Sequence, residues 1–487
     1  MDRSHGPALS AQQLALLLGG WAENRGRLPE RLASALRQLV ELGELAPGTR
    51  LPSERALATA LVISRASVVS GYELLHGAGL LESKPGSGHW IARDEAGPRP
   101  GASSAPFPWQ HRLASPESAV RYPPGVVDLS AIAIPASAVL LEVLSTLTGD
   151  DWDPVTDEPR YLPLGWPPLR QAIADECSKR GLPTSAQQVM VTSGAQQGLS
   201  LVAAALLEPG DVVVVEDPLY PGQLPVLREA GARLRTVPVG TDGLDTEALT
   251  RTVERENPRL VMVAPTHHNP TGTVVGADGR ARIAALAGVR SAVVVELYAS
   301  ADLPLNDYPL PPPVAAVGGA DSMVVIGSLS PLVWSGLRIG WIRAPENLIA
   351  SLGQAKAIAD LGTSLLPQLV SARLMKRLPE LRQQRNRELA ARCDQATALL
   401  RELLPDFDVR RPRGGACLWV GMPAGDAGEF AHVALRHGVA VLPGHLCSAR
   451  GGHHDRLRLS FAYNPTGLGV GIRRLALAWA DYRRHAH

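Results

Sequence analysis

The hydrophobic and polar positions follow one pattern near the start of the chain and another in the rest of it. Residues 28–92 carry short amphipathic stretches that predict helices, followed by two strand-like segments. Farther along, helical patterns alternate with apolar, β-branched runs such as Val212–Val215, Leu260–Val263 and Val293–Val295. This alternation is typical of an α/β sheet that is covered by helices on both faces.

A segment without periodicity separates the two patterns. Residues 96–124 are dense in Pro, Gly, Ala and Ser, which is a composition typical of a linker between domains. The predicted organisation is an N-terminal domain over residues 1–93, a linker over 94–127 and an α/β domain with a mainly parallel sheet over 128–487.

The N-terminal pattern predicts a winged helix-turn-helix. Glu30–Glu41 is predicted to form one helix, Ser53 would cap a second, and Ser64 would cap a third. Three side chains of the third helix recur at helical spacing and would face one core. They are Val68, Tyr72 and Leu75. The segment from Gly79 to Ala92 has the pattern of two short strands around a Pro-Gly turn, which predicts the wing.

The composition narrows the class of protein. A chain of 487 residues with 45% hydrophobic residues is long enough for two or three compact units. Its formal net charge of +1 provides no overall field toward nucleic acid or anionic membranes. The four cysteines are widely spaced without a CxxC pair, which favours reduced thiols and a cytoplasmic location. We expect no membrane span and no metal site, because no apolar run is long enough and the histidines lack metal-ligand spacing.

The N-terminal unit resembles the winged helices of the GntR family. The resemblance lies in the string Leu51–Arg55, in Ser64–Leu75 and in Pro85–Gly88. The alternative is a small helical protein-interaction domain, because residues 1–93 hold 10 Lys or Arg against 8 Asp or Glu, a net charge of only +2. The resemblance implies contacts to double-stranded DNA through one group of side chains in the major groove and a second group near the minor groove or backbone. The first group is Arg55, Ser64, Arg65 and Ser67, and the second is Lys84, Gly86 and Gly88.

One segment of the large domain carries the candidate cofactor chemistry. Ile326–Trp341 resembles the cofactor-anchoring segment of fold-type I aminotransferases, in which a lysine follows the second serine and an arginine comes seven residues later. Arg338 occupies the arginine position, whereas Pro331 stands at the lysine position. A Schiff base requires a primary amine, and the proline nitrogen is locked in the backbone. The four lysines of the chain lie outside this segment, at Lys84, Lys179, Lys356 and Lys376. Covalent attachment of pyridoxal phosphate is therefore not expected.

Four further segments resemble the same family, in the order that the family uses. They are Val191–Gly198, Glu216–Gly222, Pro265–Gly272 and Val294–Tyr298. The resemblance implies a phosphate site, a stacking tyrosine, an asparagine that donates to the ring oxygen, an acid at the pyridine nitrogen and an arginine that clamps a carboxylate. The phosphate contacts would be Ser193, Gly194, Ala195, Ser328 and Arg338; the ring contacts Tyr220, Asn269, Glu296 and Tyr298; and the carboxylate clamp Arg458. Glu296 stands where the related regulators carry an aspartate.

A winged helix joined through a linker to an aminotransferase-like domain resembles the MocR-type regulators of the GntR superfamily. The resemblance implies a head-to-tail homodimer that binds operator DNA and whose large domain, without catalysis, senses a small-molecule effector or serves for dimerisation. One alternative is a pyridoxal-phosphate-dependent aminotransferase with a vestigial DNA-binding domain. Another keeps the regulator and lets pyridoxal phosphate bind non-covalently.

Overall fold

The structure is a computed structural model of the chain. It describes residues 9–18, 21, 27–41, 45, 48–84, 88–92, 122, 125–158, 160–289, 292–306, 308–462 and 466–485. Most of the predicted linker and the Pro-Gly tip of the predicted wing lie outside these ranges.

The N-terminal domain has the predicted helices and wing strands. Its elements are α1 (Ala11–Leu18), α2 (Leu28–Glu41), β1 (Arg50–Leu51), α3 (Glu54–Leu61), α4 (Arg65–Gly77), β2 (Leu81–Lys84) and β3 (Gly88–Ile91). The hydroxyl oxygens of Ser53 and Ser64 accept hydrogen bonds from the backbone N–H groups of Ala56 and Ser67, so each serine caps its helix as predicted. Two elements were not predicted: α1, and β1, which pairs antiparallel with β3.

A hydrophobic core of its own holds this domain together. Val68, Tyr72 and Leu75 are all buried in it, as their helical spacing predicted. The Tyr72 hydroxyl donates to the carbonyl oxygen of Pro52 at 3.0 Å, which ties α4 to the start of α3. The described part of the domain is therefore a small helical unit closed by a three-stranded sheet in the order β1-β3-β2.

The large domain is built on an eight-stranded sheet. Its strands run in the order β5-β12-β11-β10-β9-β6-β7-β8, where β12 and β8 are antiparallel to their neighbours and the central strands are parallel. The elements up to the end of this part are β4 (Val127–Asp128), α5 (Ala138–Ser145), α6 (Gly149–Thr156), α7 (Pro167–Lys179), β5 (Val189–Thr192), α8 (Ala195–Leu206), β6 (Val212–Asp217), α9 (Gln223–Glu229), β7 (Arg233–Gly240), β8 (Gly243–Leu244), α10 (Thr246–Glu256), β9 (Leu260–Val263), α11 (Ala277–Ala285), β10 (Val293–Leu297), α12 (Val314–Val317), β11 (Met323–Ser328), β12 (Gly340–Arg343), α13 (Glu346–Asp360) and α14 (Leu365–Met375).

Each face of this sheet packs against its own set of helices. Side chains of α8, α9 and α13 cover one face, and side chains of α10, α11 and α12 cover the other. Successive residues of a strand point to opposite faces. On β10, Val294 accordingly belongs to the second core and Val295 to the first. The same alternation decides which side chains at the end of β10 can reach a ligand.

The C-terminal part of the chain forms a second, smaller layer. Its elements are α15 (Leu378–Leu403), β13 (Cys417–Gly421), α16 (Ala427–Arg436), β14 (Val439–Ala440), β15 (Leu442–Pro443), β16 (Arg456–Ser460) and α17 (Leu468–His485). Strands β13, β16 and β15 form an antiparallel sheet, while β14 pairs in parallel with β4. The start of β13 lies beside the ends of the large sheet and closes the cavity described below.

The winged helix contacts this C-terminal layer. Helix α3 packs on α16, and Val62, which ends α3 in a left-handed conformation, packs against the core of the C-terminal layer. The Arg436 guanidinium is buried and donates to the Val62 carbonyl oxygen at 3.4 Å. The turn of the helix-turn-helix is therefore joined directly to the large domain.

Candidate functional site

A cavity of about 210 Å³ opens at the carboxyl ends of the central strands of the large sheet. In open α/β sheets this edge is where ligands bind, because loops and helix N-termini converge there. The residues that line the cavity are Ile132, Ala195, Gln196, Leu199, Tyr220, Ala264, Thr266, His267, His268, Asn269, Leu297, Ala299, Ser300, Leu303, Ile326, Ser328, Ser330, Pro331, Arg338, Gly414, Gly415, Ala416 and Cys417. Of the predicted cofactor contacts, the fold thus brings together Ala195, Tyr220, Asn269, Ser328, Pro331 and Arg338.

One end of the cavity is formed by Arg338 and the N-terminus of α8. A β-carbon built on Gly194 would lie 2.7 Å from a guanidinium nitrogen of Arg338, so glycine allows the cation to approach the start of the helix. Gly194 also has a φ of 121°, which favours glycine. The first backbone N–H groups of a helix have no intrahelical acceptor, and no side chain caps those of α8. The positive end of the helix dipole therefore lies at this end of the cavity.

Two serines complete this polar end. The Ser328 hydroxyl donates to the Ile339 carbonyl oxygen at 3.3 Å and accepts from the Ser330 backbone N–H at 3.1 Å. The Ser330 hydroxyl oxygen is buried and has no hydrogen-bond partner among the described residues. It is therefore available to a ligand in the cavity.

Ser193 does not line the cavity. Its backbone N–H donates to Oε1 of Gln197 at 2.8 Å, and Gln197 in turn contacts the buried ammonium of Lys356 and the carboxylate of Asp360. Lys356 and Asp360 pair at 2.6 Å on α13. Ser193 and Lys356 are thus linked through Gln197 near the start of α8. Lys356 does not line the cavity, so it is not placed to serve as the lysine that is missing at residue 331.

Beyond this polar end the cavity wall is mostly apolar, and it also includes the Asn269 amide and the rings of Tyr220, His267 and His268. Oδ1 of Asn269 is 3.4 Å from a guanidinium nitrogen of Arg458 and 3.9 Å from Sγ of Cys417. With its oxygen turned to these donors, the Asn269 amide presents its NH₂ group to the cavity.

The expected role of Glu296 at a ring nitrogen is not supported, because the structure places its carboxylate outside the cavity. Oε2 of Glu296 accepts from the backbone N–H of Val314 at 2.9 Å, and Oε1 is 4.0 Å from the Arg280 guanidinium. Burial raises the pKa of Glu296 to about 7. The physical reason is the alternation along β10: Leu297, not Glu296, points to the face that carries the cavity.

Tyr298 also points away from the cavity, because it follows Glu296 by two residues and therefore lies on the same face of the sheet as Glu296. Its hydroxyl accepts from the Arg180 guanidinium at 2.7 Å, and burial raises its pKa to about 12. Arg180 also pairs with Glu176 and Asp302. Tyr298 is therefore joined to a buried ion network behind the sheet and does not line the cavity.

Arg458 is also withdrawn from the cavity. Its side chain is fully buried, and one guanidinium nitrogen donates to the Ser130 carbonyl oxygen at 2.6 Å. A guanidinium bound to a backbone carbonyl beneath Asn269 does not offer its fork to a ligand carboxylate. The expected carboxylate clamp is thus not part of the cavity wall.

Several lining residues were not predicted. His268 lies 3.4 Å through Nε2 from the buried Glu216, and its Nδ1 contacts the Thr271 hydroxyl at 2.9 Å. The neighbouring His267 ring is buried, and burial lowers its pKa to about 4, so this ring is neutral near pH 7. The Asn-Pro motif marked this loop in the sequence, but only the fold shows that both rings turn toward the cavity. Cys417 lies in no motif, and Leu297 lies in the Val294–Tyr298 motif but was given no role there.

The winged helix places its predicted DNA contacts on the surface. Arg55 and Arg65 are exposed on α3 and α4, and the hydroxyls of Ser64 and Ser67 lie 2.8 Å apart at the start of α4. Gly88 has a φ of 114° beside the Arg50 side chain. Gly86 and the side chain of Lys84 lie outside the described residues. A hydrogen bond that was not predicted, between the Glu54 carboxylate and the His89 ring at 2.9 Å, joins α3 to the wing.

Three broader expectations concern metals, membranes and thiols. No group of three or more His, Cys, Asp or Glu residues in the described part of the chain is placed to hold a metal ion. Across the same residues, no helix is both long and apolar enough to cross a membrane. The four cysteines are all free thiols.

Comparisons with known proteins assign both parts of the chain. Residues 157–475 match the family model described as "Aminotransferase class I and II", and residues 28–91 match "Bacterial regulatory proteins, gntR family". The fold is similar to that of LysN, an α-aminoadipate aminotransferase from Thermus thermophilus solved with N-(5′-phosphopyridoxyl)-L-leucine. The TM-score is 0.67 at 29% identity, over 74% of this chain and 94% of that one.

Two relatives are named as transcriptional regulators. The chain is 28% identical to the uncharacterized HTH-type transcriptional regulator YisV of Bacillus subtilis, over 95% of this chain and 98% of that protein. It is 30% identical to the HTH-type pyridoxine biosynthesis transcriptional regulator PdxR of Corynebacterium glutamicum, over 73% of this chain and 76% of that protein. The fold class expected from the sequence is thus confirmed, and the chain belongs to the family of class I and II aminotransferases, with a segment of the bacterial gntR type ahead of the family's domain.

Proposed function

We propose that this chain is a DNA-binding transcription regulator whose aminotransferase-like domain binds a small molecule and does not catalyse amine transfer. One observation carries the proposal: a gntR-type winged helix precedes a cavity that has a proline at the lysine position. YisV, which matches over 95% of this chain, and PdxR, which matches over 73% of it, are both named as transcriptional regulators, which supports the same function.

The DNA-binding part of the proposal is supported by the surface of α4. The helix begins with the exposed Arg65 and Ala66, and the Ser64 hydroxyl fixes this turn by accepting from the Ser67 backbone N–H. A helix of this kind enters the major groove with its N-terminal residues toward the bases. We assign Arg55, Arg65 and Ser67 to this contact and the wing to the neighbouring backbone.

The cavity fits one part of pyridoxal phosphate and does not fit the rest. The polar end made by Arg338, Ser328, Ser330 and α8 is suited to a phosphate. Covalent attachment is excluded at Pro331 because its nitrogen is a backbone amide, and no lysine lines the described cavity wall. No carboxylate lines it either, so a protonated ring nitrogen would have no partner. We derive no catalytic step through this cofactor.

The contact between α3 and α16 gives the ligand a route to the DNA-binding unit. Arg436 at the end of α16 holds the turn after α3, and the C-terminal layer that contains α16 also supplies Cys417 to the cavity. We propose that the protein acts as a cytoplasmic, head-to-tail homodimer on operator DNA, as MocR-type regulators do. Sedimentation with and without an operator duplex tests the assembly.

The function is tested by fluorescence anisotropy with duplex DNA from upstream of the protein's own coding sequence. We expect at least about tenfold tighter binding than to a shuffled duplex at moderate salt. Arg65→Gln should lose about 5- to 100-fold in affinity, because a charged contact to a base or phosphate is removed. Arg228→Gln, an exposed arginine on α9, is the matched control. Equal affinity for both duplexes would contradict the proposal.

A second candidate is an aminotransferase with a vestigial DNA-binding domain. The observation that favours it is the grouping of Tyr220, Asn269 and Arg338 in one cavity, as in the family. A single-turnover test with pyridoxal phosphate and a panel of amino acids distinguishes the two. Amine transfer to a keto acid acceptor above the rate of the cofactor alone would support this candidate.

A further inference from the structure

The charges that line the cavity are unbalanced. Arg338 is the only arginine, lysine, aspartate or glutamate among its lining residues in the described structure, and the lining His268 lies 3.4 Å from the Glu216 carboxylate behind it. No aspartate, glutamate or lysine lines the wall, and His267 is held neutral by burial. A ligand that carries an anion is therefore matched, whereas a ligand that carries an ammonium or a pyridinium finds no counter-charge.

The anion would bind at the end formed by Arg338. Its guanidinium makes no hydrogen bond or ion pair with a described residue, and it lies against Gly194 at the uncapped start of α8. The Ser330 hydroxyl adds a buried polar group without a partner. These groups, together with the backbone N–H groups of α8, offer donors from several directions, which suits the three terminal oxygens of a phosphate monoester better than a planar carboxylate.

The other end accepts a flat apolar ring. Leu297, Pro331, Leu303 and Ile326 line the cavity beyond the anion end, Tyr220 provides an aromatic face, and the polar groups there are the Asn269 amide and the rings of His267 and His268. The cavity volume of about 210 Å³ is below the ~300–1,000 Å³ of clefts for drug-sized ligands. It therefore suits one ring with its phosphate, rather than a dinucleotide or a ligand of several rings.

Leu297 determines which ring is accepted. Strand alternation turns this side chain into the cavity and turns the carboxylate of Glu296 behind the sheet. A ring nitrogen placed against Leu297 loses its hydrogen bond to water and gains no donor, which lowers affinity by about tenfold relative to a carbon at the same position.

We propose that the cavity binds a phosphate monoester of a carbocyclic ring and discriminates against ligands with a basic nitrogen, pyridoxal phosphate and amino acids included. This inference rests on the proposed function, because it names the class of ligand that the sensing domain binds. Leu297 discriminates between rings, and Arg338 binds the phosphate.

The test uses two probes that differ in one ring atom, benzyl phosphate and pyridin-3-ylmethyl phosphate. Their binding to the full-length protein is measured by calorimetry at a pH where the pyridine is unprotonated. We expect the wild type to bind benzyl phosphate about tenfold more tightly. Leu297→Asn should abolish or reverse this preference, because its amide can donate to the ring nitrogen. Arg338→Gln should weaken both probes by about tenfold or more.

Leu141→Asn, which changes an exposed leucine on α5, is the matched control and should leave both affinities unchanged. Circular dichroism verifies that each variant is folded. The proposal is overturned if the wild type binds the pyridine probe as tightly as benzyl phosphate, or if it binds neither. Because DNA binding is measured separately by anisotropy on the same preparation, failure of the ligand proposal is distinguishable from failure of the regulator proposal.

Discussion

The winged helix and the cavity place their functional residues in opposite physical settings. In the winged helix, Arg55 and Arg65 are exposed, and the local caps at Ser53 and Ser64 fix the helices that carry them. In the cavity, the functional groups are assembled from five strand ends and from the start of β13, hundreds of residues apart. One site depends on local structure, and the other depends on the register of a whole sheet.

The difference explains how each site can change. A cavity wall is shared by many elements, so a single residue such as Pro331 or Leu297 alters the accepted ligand while the sheet remains intact. The winged helix has its own core and tolerates such changes in the large domain without losing its surface. A family scaffold can therefore keep its fold and acquire another ligand while the DNA-binding unit is unaffected.

The largest expected effect is the return of covalent chemistry on substitution of Pro331. Pro331→Lys provides a primary amine on the cavity wall next to the anion end. Excess pyridoxal phosphate can react with it there through its aldehyde, because the covalent bond offsets the roughly tenfold weaker binding that Leu297 imposes on a ring nitrogen. After borohydride treatment and mass spectrometry, we expect a phosphopyridoxyl group on a peptide that contains residue 331 in the variant and none in the wild type. Pro309→Lys, outside the cavity wall, is the control. The same extent of labelling in both variants would show that this cavity no longer receives the phosphate.

The next largest effect is a pH-dependent change in stability on substitution of Glu296, which is buried on the face of β10 that points away from the cavity. Burial raises its pKa from an ordinary value near 4.5 to about 7. Between these pH values the Glu296 carboxyl is protonated in the folded chain and ionised in the unfolded chain. The stability linked to this group is thus fully present below about pH 4.5 and is lost as the pH rises through 7.

Glu296→Gln removes this dependence. We expect the variant to gain on the order of 1–3 kcal/mol in the free energy of unfolding at pH 8 relative to the wild type, and nothing near pH 4.5. Urea denaturation at both pH values measures it. Glu229→Gln, an exposed position on α9, is the control. If the gain were equal at both pH values, the carboxylate would not be the titrating group.

The sequence predicted the winged helix in more detail than the cavity, and the reason is physical. A cap needs only a serine and the N–H three residues later, so Ser53 and Ser64 could be assigned from local sequence. Strand β1 was missed because its two residues gain their structure from pairing with Trp90 and His89, far along the chain.

In the large domain, motifs predicted the fold and six of the 23 residues that line the cavity. They could not predict which face of β10 lines the cavity. Glu296 was assigned to the ring by its distance from Tyr298 in the sequence, whereas the sheet register turns Leu297 inward. The burial of Arg458 beneath Ser130 likewise depends on the packing of the C-terminal layer against the segment after β4.

The smallest expected effect tests whether the winged helix depends on its local caps. Ser64→Ala removes the acceptor for the Ser67 N–H and should cost about 1 kcal/mol of the stability of this domain. Ser34→Ala, an exposed position within α2, should be neutral or slightly stabilising because alanine favours the helix.

Hydrogen exchange of the α4 amides measures this loss of stability. Because it is measured without DNA, it separates the role of Ser64 as a helix cap from any contact that Ser64 makes with DNA. Faster exchange confined to α4 in Ser64→Ala, with the large domain unchanged, would establish that the two units respond separately. Equal acceleration in α16, which packs on α3, would mean that the cap's stability is shared with the large domain through Val62 and Arg436.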